Sequence, residues 1–131
     1  NTHKKPLLGI CLGMQLLADY GEEDGGAKGL GLIKGEVLKI KQKKLPLPHI
    51  GYNIVEWKND FPSNQKNFYF VHSYQFKPKN KQDIIGVTKY EDTIISAVKN
   101  KNILGLQFHP EKSQSDGLML LKKVIENNNH A

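Results

Sequence analysis

Cysteine occurs once in these 131 residues, at Cys11. That scarcity excludes an internal disulfide and any zinc site built on cysteine pairs, and it fits a reducing cytoplasm. Long apolar runs are missing too: the longest fall far short of the roughly 18 residues of a membrane span, and no charged-then-apolar leader opens the chain. Neither membrane insertion nor secretion is therefore expected. Basic runs interleaved with stacking aromatics are also lacking. The net charge of +6 comes from scattered lysines, which alternate with apolar residues in Val37-Leu38-Lys39-Ile40-Lys41 as on solvated strand faces. Nucleic acid is not an expected partner. No internal repeat or low-complexity segment interrupts the chain before the Asn127-Asn128-Asn129 tail. What remains, 38% hydrophobic and 24% charged residues, is the mixture of one ordinary soluble domain spanning residues 1–131.

The single cysteine sits in Gly9-Ile10-Cys11-Leu12-Gly13-Met14-Gln15, directly after a short apolar run. This pattern predicts a nucleophile elbow: a strand over Pro6 to Ile10, a sharp turn at Cys11, and a helix running to about Tyr20. Gly9 and Gly13 are expected to leave room for the turn. The helix N-terminus would favour thiolate and lower the thiol pKa. The chain opens at Asn1 rather than Met, only a few residues before the elbow strand. It reads as the later part of a longer α/β unit, with the second oxyanion donor and neighbouring strands expected upstream.

Gly21 to Gly26 reads as a polar loop. Gly29-Leu30-Gly31 is not a dinucleotide fingerprint, because Lys34 stands where the third glycine belongs and no strand precedes it. Strand-like runs follow at Glu36 to Lys41, Ile50 to Trp57, Asn67 to Tyr74, Ile84 to Tyr90, Ile94 to Lys99 and Ile103 to Phe108. Ser115 and Asp116 predict the N-cap of a final helix whose apolar stripe is Leu118, Leu121, Val124 and Ile125. Two helices around many strands imply an α/β sheet with an antiparallel extension.

The buried-looking run Ile103 to Phe108 ends in His109-Pro110-Glu111. On an extended chain residues two apart share a face, so Glu111 can orient the His109 imidazole, while Pro110 ends the ladder. Cys11, His109 and Glu111 then supply nucleophile, base and orienter for a thiol-dependent acyl transfer. His49 and His72 complete no metal spacing with His109, and alternation turns His72 away from Ser73 as a structural residue.

These residues resemble the class I glutamine amidotransferases, whose elbow reads Gly-x-Cys-x-Gly-x-Gln and whose distal strand ends in His-Pro-Glu. Gly29 to Ile33, Pro48 to Asn53, Tyr69 to Tyr74 and Phe108 to Ser113 look more narrowly like glutaminase subunits of imidazole glycerol phosphate synthases. The resemblance runs from about Lys5 to Ile125. It implies a flavodoxin-like mixed sheet flanked by helices, with N-terminal strands missing from this chain. It also implies glutamine hydrolysis by Cys11, His109 and Glu111 without cofactor or metal. Ammonia would pass to a HisF-type (β/α)8-barrel subunit, forming a heterodimer that makes imidazole glycerol phosphate and AICAR in histidine biosynthesis.

By the same resemblance the Leu12 backbone N–H serves the oxyanion, and Gln15, Ser73 and Tyr74 hold the substrate's α-amino and carboxylate groups. Tyr52, Asn53, Tyr69 and Lys112 correspond to the partner interface. Tyr52 stands where synthase-type members generally carry Trp, which leaves open a paralogue supplying ammonia for surface-glycan amidination. The other readings are a catalytically impaired remnant that only binds the barrel, and a free-standing thiol hydrolase using the same triad, such as a γ-glutamyl peptidase. Lys112-Ser113 and the Pro48 to Asn53 segment argue against the last.

Overall fold

The computed structural model describes residues 6–41, 44–59, 61–64 and 66–129. The opening at Asn1 and the starting point of the resemblance at Lys5 lie outside them. The central element is a five-stranded sheet. Strand β1 (Leu7–Ile10) runs parallel to β11 (Ile103–Leu106), which continues antiparallel through β10 (Asp92–Asn100), β9 (Ile84–Tyr90) and the short β6 (Glu56–Trp57). A second sheet joins β3 (Ala27–Lys28), β2 (Tyr20–Gly21), β4 (Gly35–Lys39) and β8 (Tyr74–Pro78). The antiparallel pair β5 (His49–Ile54) and β7 (Asn67–His72) forms a third. Helix α1 spans Leu12–Gln15 and helix α2 spans Gln114–Asn129, so the last asparagines extend a helix rather than a loose tail. The result is the expected mixed α/β architecture, richer in sheet than in helix.

Strand β11 is buried along its whole length, and period-2 alternation divides its residues between two cores. Leu104 and Leu106 join Phe68, Phe70, Phe108, Leu120 and Val124 on one side. Ile103 joins Met14, Leu17, Val37 and Phe76 on the other. That alternation aims Gln107 toward α1, where the chemistry lies.

The first helix stops earlier than Tyr20. The carbonyls of Leu16, Leu17 and Ala18, which would carry the helix onward, instead accept N–H groups from Leu30, Leu32, Ile33 and Gly31 at 2.8–3.1 Å. Gly29 makes that approach possible, since a Cβ there would lie 2.1 Å from the Ala18 oxygen. The Gly-Leu-Gly motif is thus a close backbone contact. The expected loop over Gly21 to Gly26 folds as a 3-10 turn at Glu23–Gly25 between β2 and β3.

Two predicted strands are each broken in two. Ile50 to Trp57 divides at buried Val55 between the β5–β7 pair and β6 of the central sheet. Asn67 to Tyr74 divides at Ser73, where the chain crosses from β7 into β8 of another sheet. In α2 the buried face is Gly117, Leu120 and Val124, while Leu118 and Ile125 are 66% and 57% exposed, which corrects the expected stripe. Gly117 sets the face: a Cβ there would lie 1.8 Å from the Pro110 oxygen. Ser115 and Asp116 lie inside the first turn, and the Asp116 carboxylate accepts the backbone N–H of Asn67 at 2.9 Å instead of capping α2. No helix among the described residues is long and apolar enough to cross a membrane.

Candidate active site

Strand β1 delivers Cys11 into a turn with φ 52° and ψ −108°, a combination side chains rarely adopt. The Cys11 N–H still reaches the Leu106 carbonyl at 2.7 Å, so the strained residue is pinned to the end of β11. Gly9 is required, because a Cβ there would approach the Gly13 oxygen to 2.6 Å. Gly13 is not: among the described residues a Cβ at that position meets nothing within 4 Å. The strand, turn and helix of an elbow are all present, with a shorter helix than expected.

The thiol donates to the Val71 carbonyl and receives the Gln107 side-chain amide, both at 3.7 Å. Burial pushes its pKa up, against the lowering influence of the Leu12 backbone N–H and the Gln107 amide; Glu111 and Glu23 add to the rise. The expected depression is therefore reversed. A helix of four residues offers little dipole, and desolvation outweighs it. At neutral pH the resting group is a thiol that needs a base.

His109 follows β11, and its Nδ1 lies 2.9 Å from Glu111 Oε2. The carboxylate holds Nδ1 and leaves Nε2 for the reaction. Burial alone would raise the Glu111 pKa, but the hydrogen bond and charge of His109, with Lys112 nearby, hold it below the ordinary glutamate value. The His109 N–H donates to the Tyr69 carbonyl at 2.8 Å. Cys11 thus meets β7 at Val71 and His109 meets it at Tyr69, two residues or about 7 Å apart along the strand. In the resting structure the thiol is engaged by Val71 and Gln107 rather than by the imidazole.

Beside Cys11 lies a cavity of about 340 Å³ whose wall includes Leu12, Gln15, Glu23, Pro48, Ser73 and Tyr74. It gathers the nucleophile and every residue expected to bind substrate. Gln15 is itself committed: its amide donates to the Tyr74 carbonyl at 3.3 Å and to Gln107 Oε1 at 3.1 Å. Glu23 and Gln107 were not among the expected site residues. Glu23 reads as one of several acidic loop residues, and Gln107, though on the strand face of Gly105 and His109, is marked only by its distant partners Gln15 and Cys11.

The expected interface residues separate. Tyr52 and Tyr69 face each other across β5 and β7 with ring centroids 5.4 Å apart, and the Tyr52 hydroxyl donates to the Lys112 carbonyl at 2.9 Å. These three form one surface beside His109. Asn53 is half-buried and projects to the opposite side of β5, where its amide nitrogen meets His49 Nε2 and the Lys89 carbonyl, both at 3.3 Å. His49 and His72 pair with each other at 3.0 Å, away from the Glu111-bound His109.

An elbow cysteine, a strand-end His-Glu pair and this fold agree with the family to which the sequence is matched. The chain belongs to the class I glutamine amidotransferases: the model of that family, glutamine amidotransferase class-I, matches residues 1–127. It is 49% identical to the imidazole glycerol phosphate synthase subunit HisH of Pelagibacter ubique, over 96% of this chain and 62% of the relative. It is 47% identical to the HisH subunit of Thermotoga maritima, over 92% of this chain and 58% of that one. The chain therefore spans about 60% of the length of the curated relatives it matches. Among solved structures, a glutamine amidotransferase superposes with a TM-score of 0.63 at 17% identity, covering 95% of this chain and 61% of that one. A second, from Thermotoga maritima, gives 0.58 at 20% identity, covering 98% and 51%. Those two likenesses concern the fold.

Proposed function

We propose that this protein hydrolyses glutamine to glutamate and ammonia, and that it delivers the ammonia to a (β/α)8-barrel synthase subunit in histidine biosynthesis. The observation that carries the reading is the convergence of a strained, singly occurring cysteine and a His109–Glu111 pair on carbonyls two residues apart on one strand, next to a cavity of about 340 Å³.

In this mechanism His109 Nε2 takes the thiol proton, and the thiolate attacks the side-chain amide carbon of glutamine. The carbonyl oxygen becomes an oxyanion beside the Leu12 N–H, which already lies against the sulfur. The C–N bond then breaks as His109 protonates the departing amine, leaving ammonia and a γ-glutamyl thioester. Water, deprotonated by His109, releases glutamate and restores the thiol. Glu111 keeps the imidazole in one orientation throughout. Glu23, which lines the cavity, suits the substrate's ammonium group by its charge, and Ser73 and Tyr74 suit its carboxylate end.

The partner reading is supported by the outer face of β5. Ile50, Tyr52 and Ile54 are 59%, 46% and 49% exposed on one row, continuous with Tyr69 and Lys112 beside His109. Tyr52 leaves room for the second reading, a HisH-like paralogue with another ammonia acceptor. The deciding measurement is glutamate and ammonia formation from glutamine, with the protein alone and with a HisF-type subunit carrying its nucleotide ligand. Partner-stimulated release is expected. Release indifferent to that partner favours the paralogue, and full activity in Cys11→Ala would sink the mechanism.

A further inference from the structure

His49 and His72 are buried, and the mechanism above uses neither. Their hydrogen bonds have only one consistent direction. The Tyr74 carbonyl can only accept, so His72 Nδ1, 2.9 Å away, carries a proton. His72 Nε2 is then an acceptor, and His49 Nδ1, 3.0 Å from it, must donate. His49 Nε2 in turn accepts from the Asn53 amide at 3.3 Å. The Asn53 orientation is fixed independently, because its Oδ1 accepts the Ile54 N–H at 2.7 Å and its nitrogen donates to Lys89 O. Stacking holds the His49 ring between Phe70 and Tyr90, at centroid distances of 4.7 and 3.9 Å.

The chain of donors ends on a carbonyl that also fixes the nucleophile's surroundings. Tyr74 O accepts the Gln15 amide, Gln15 donates to Gln107 Oε1, and Gln107 donates to the Cys11 sulfur. We propose that His72, oriented by His49 and Asn53, is a positioning residue: by fixing the Tyr74 carbonyl it holds Gln15 and Gln107 so that an N–H is aimed at the Cys11 sulfur. Burial supports the required neutrality of both rings. The proposal rests on Cys11 being the nucleophile, and both arms of its test are independent of glutamine.

The first arm is long-range 15N–1H correlation spectroscopy of histidine-labelled protein at pH 7. His49 and His72, assigned by the signals lost in His49→Asn and His72→Asn and so separated from the Glu111-held His109, are each expected as a neutral Nδ1–H tautomer, the form that free histidine disfavours. An Nε2–H or charged ring at either position overturns the relay. The second arm is the rate of Cys11 alkylation by iodoacetamide at fixed pH. His72→Leu is expected to slow it at least threefold. His72→Asn, which keeps an N–H near the place of Nδ1, is expected to stay within twofold of the parent. A merely structural His72 would change thermal stability in both variants without this split, and equal rates in all three folded proteins overturn the positioning role. Should His72→Leu not fold, the tautomers and the His72→Asn rate decide. Failure to hydrolyse glutamine would overturn the functional reading while leaving both arms readable.

Discussion

At Cys11 the backbone is held at φ 52° for the sake of one side chain. Such a conformation costs on the order of 1–3 kcal/mol outside glycine. Cys11→Gly and Cys11→Ala both remove the thiol, yet glycine alone relaxes at this angle. The glycine variant is expected to be the more stable by about 1 kcal/mol in urea unfolding, and both are expected to lack glutaminase activity. Equal stabilities would show an unstrained turn. Glu111→Gln keeps the shape but removes the charge that steadies the imidazolium, so kcat is expected to fall by about 10²- to 10⁴-fold with KM little changed. Glu23→Gln is expected to do the reverse, raising KM for glutamine at least tenfold with kcat nearly intact, as steady-state kinetics would show.

Among the elements, α2 separates what the sequence discloses from what it conceals. Helical spacing identified the helix, but Leu118 and Ile125 carry the same apolar signal as Leu120 and Val124, and no residue in the stripe records which side meets the sheet. That choice belongs to Gly117 and the Pro110 carbonyl, a contact distant from any hydrophobic count. Leu120→Ala is expected to cost about 2–5 kcal/mol and Leu118→Ala no more than about 0.5, measured by urea unfolding. The elbow and His-x-Glu motifs were legible because their spacing is local. Gln107 and the His49–His72 pair were not, since each is defined by partners 23 to 96 residues away on another element. The early end of α1 was hidden for the same reason: residues 30–33 take its carbonyls.

On the scale of the whole molecule, the two buried histidines link acidity to unfolding. Burial lowers the pKa of each from 6.5 to about 4, with mutual repulsion adding to the effect on His49. Because the unfolded rings protonate first, this contribution is fully present above about pH 6.5. It is lost as the pH falls toward 4. One such ring corresponds to about 2 kcal/mol between pH 7 and pH 5. The melting temperature is thus expected to drop by several degrees over that interval, and His72→Asn to flatten the dependence. A parent whose melting temperature is constant from pH 7 to pH 5 would contradict buried neutral rings.

The row of Ile50, Tyr52 and Ile54 on β5 bears on how the protein behaves in quantity. The β5–β7 pair has only two strands, and its outer face presents these apolar side chains to solvent in one row. Its high isoelectric point, about 9.3, leaves charge repulsion weakest in alkaline solution. On the proposed pairing with a barrel subunit, molecules made in excess over that subunit are expected to aggregate through this row first, so the ratio in which the two chains are expressed becomes a determinant of solubility.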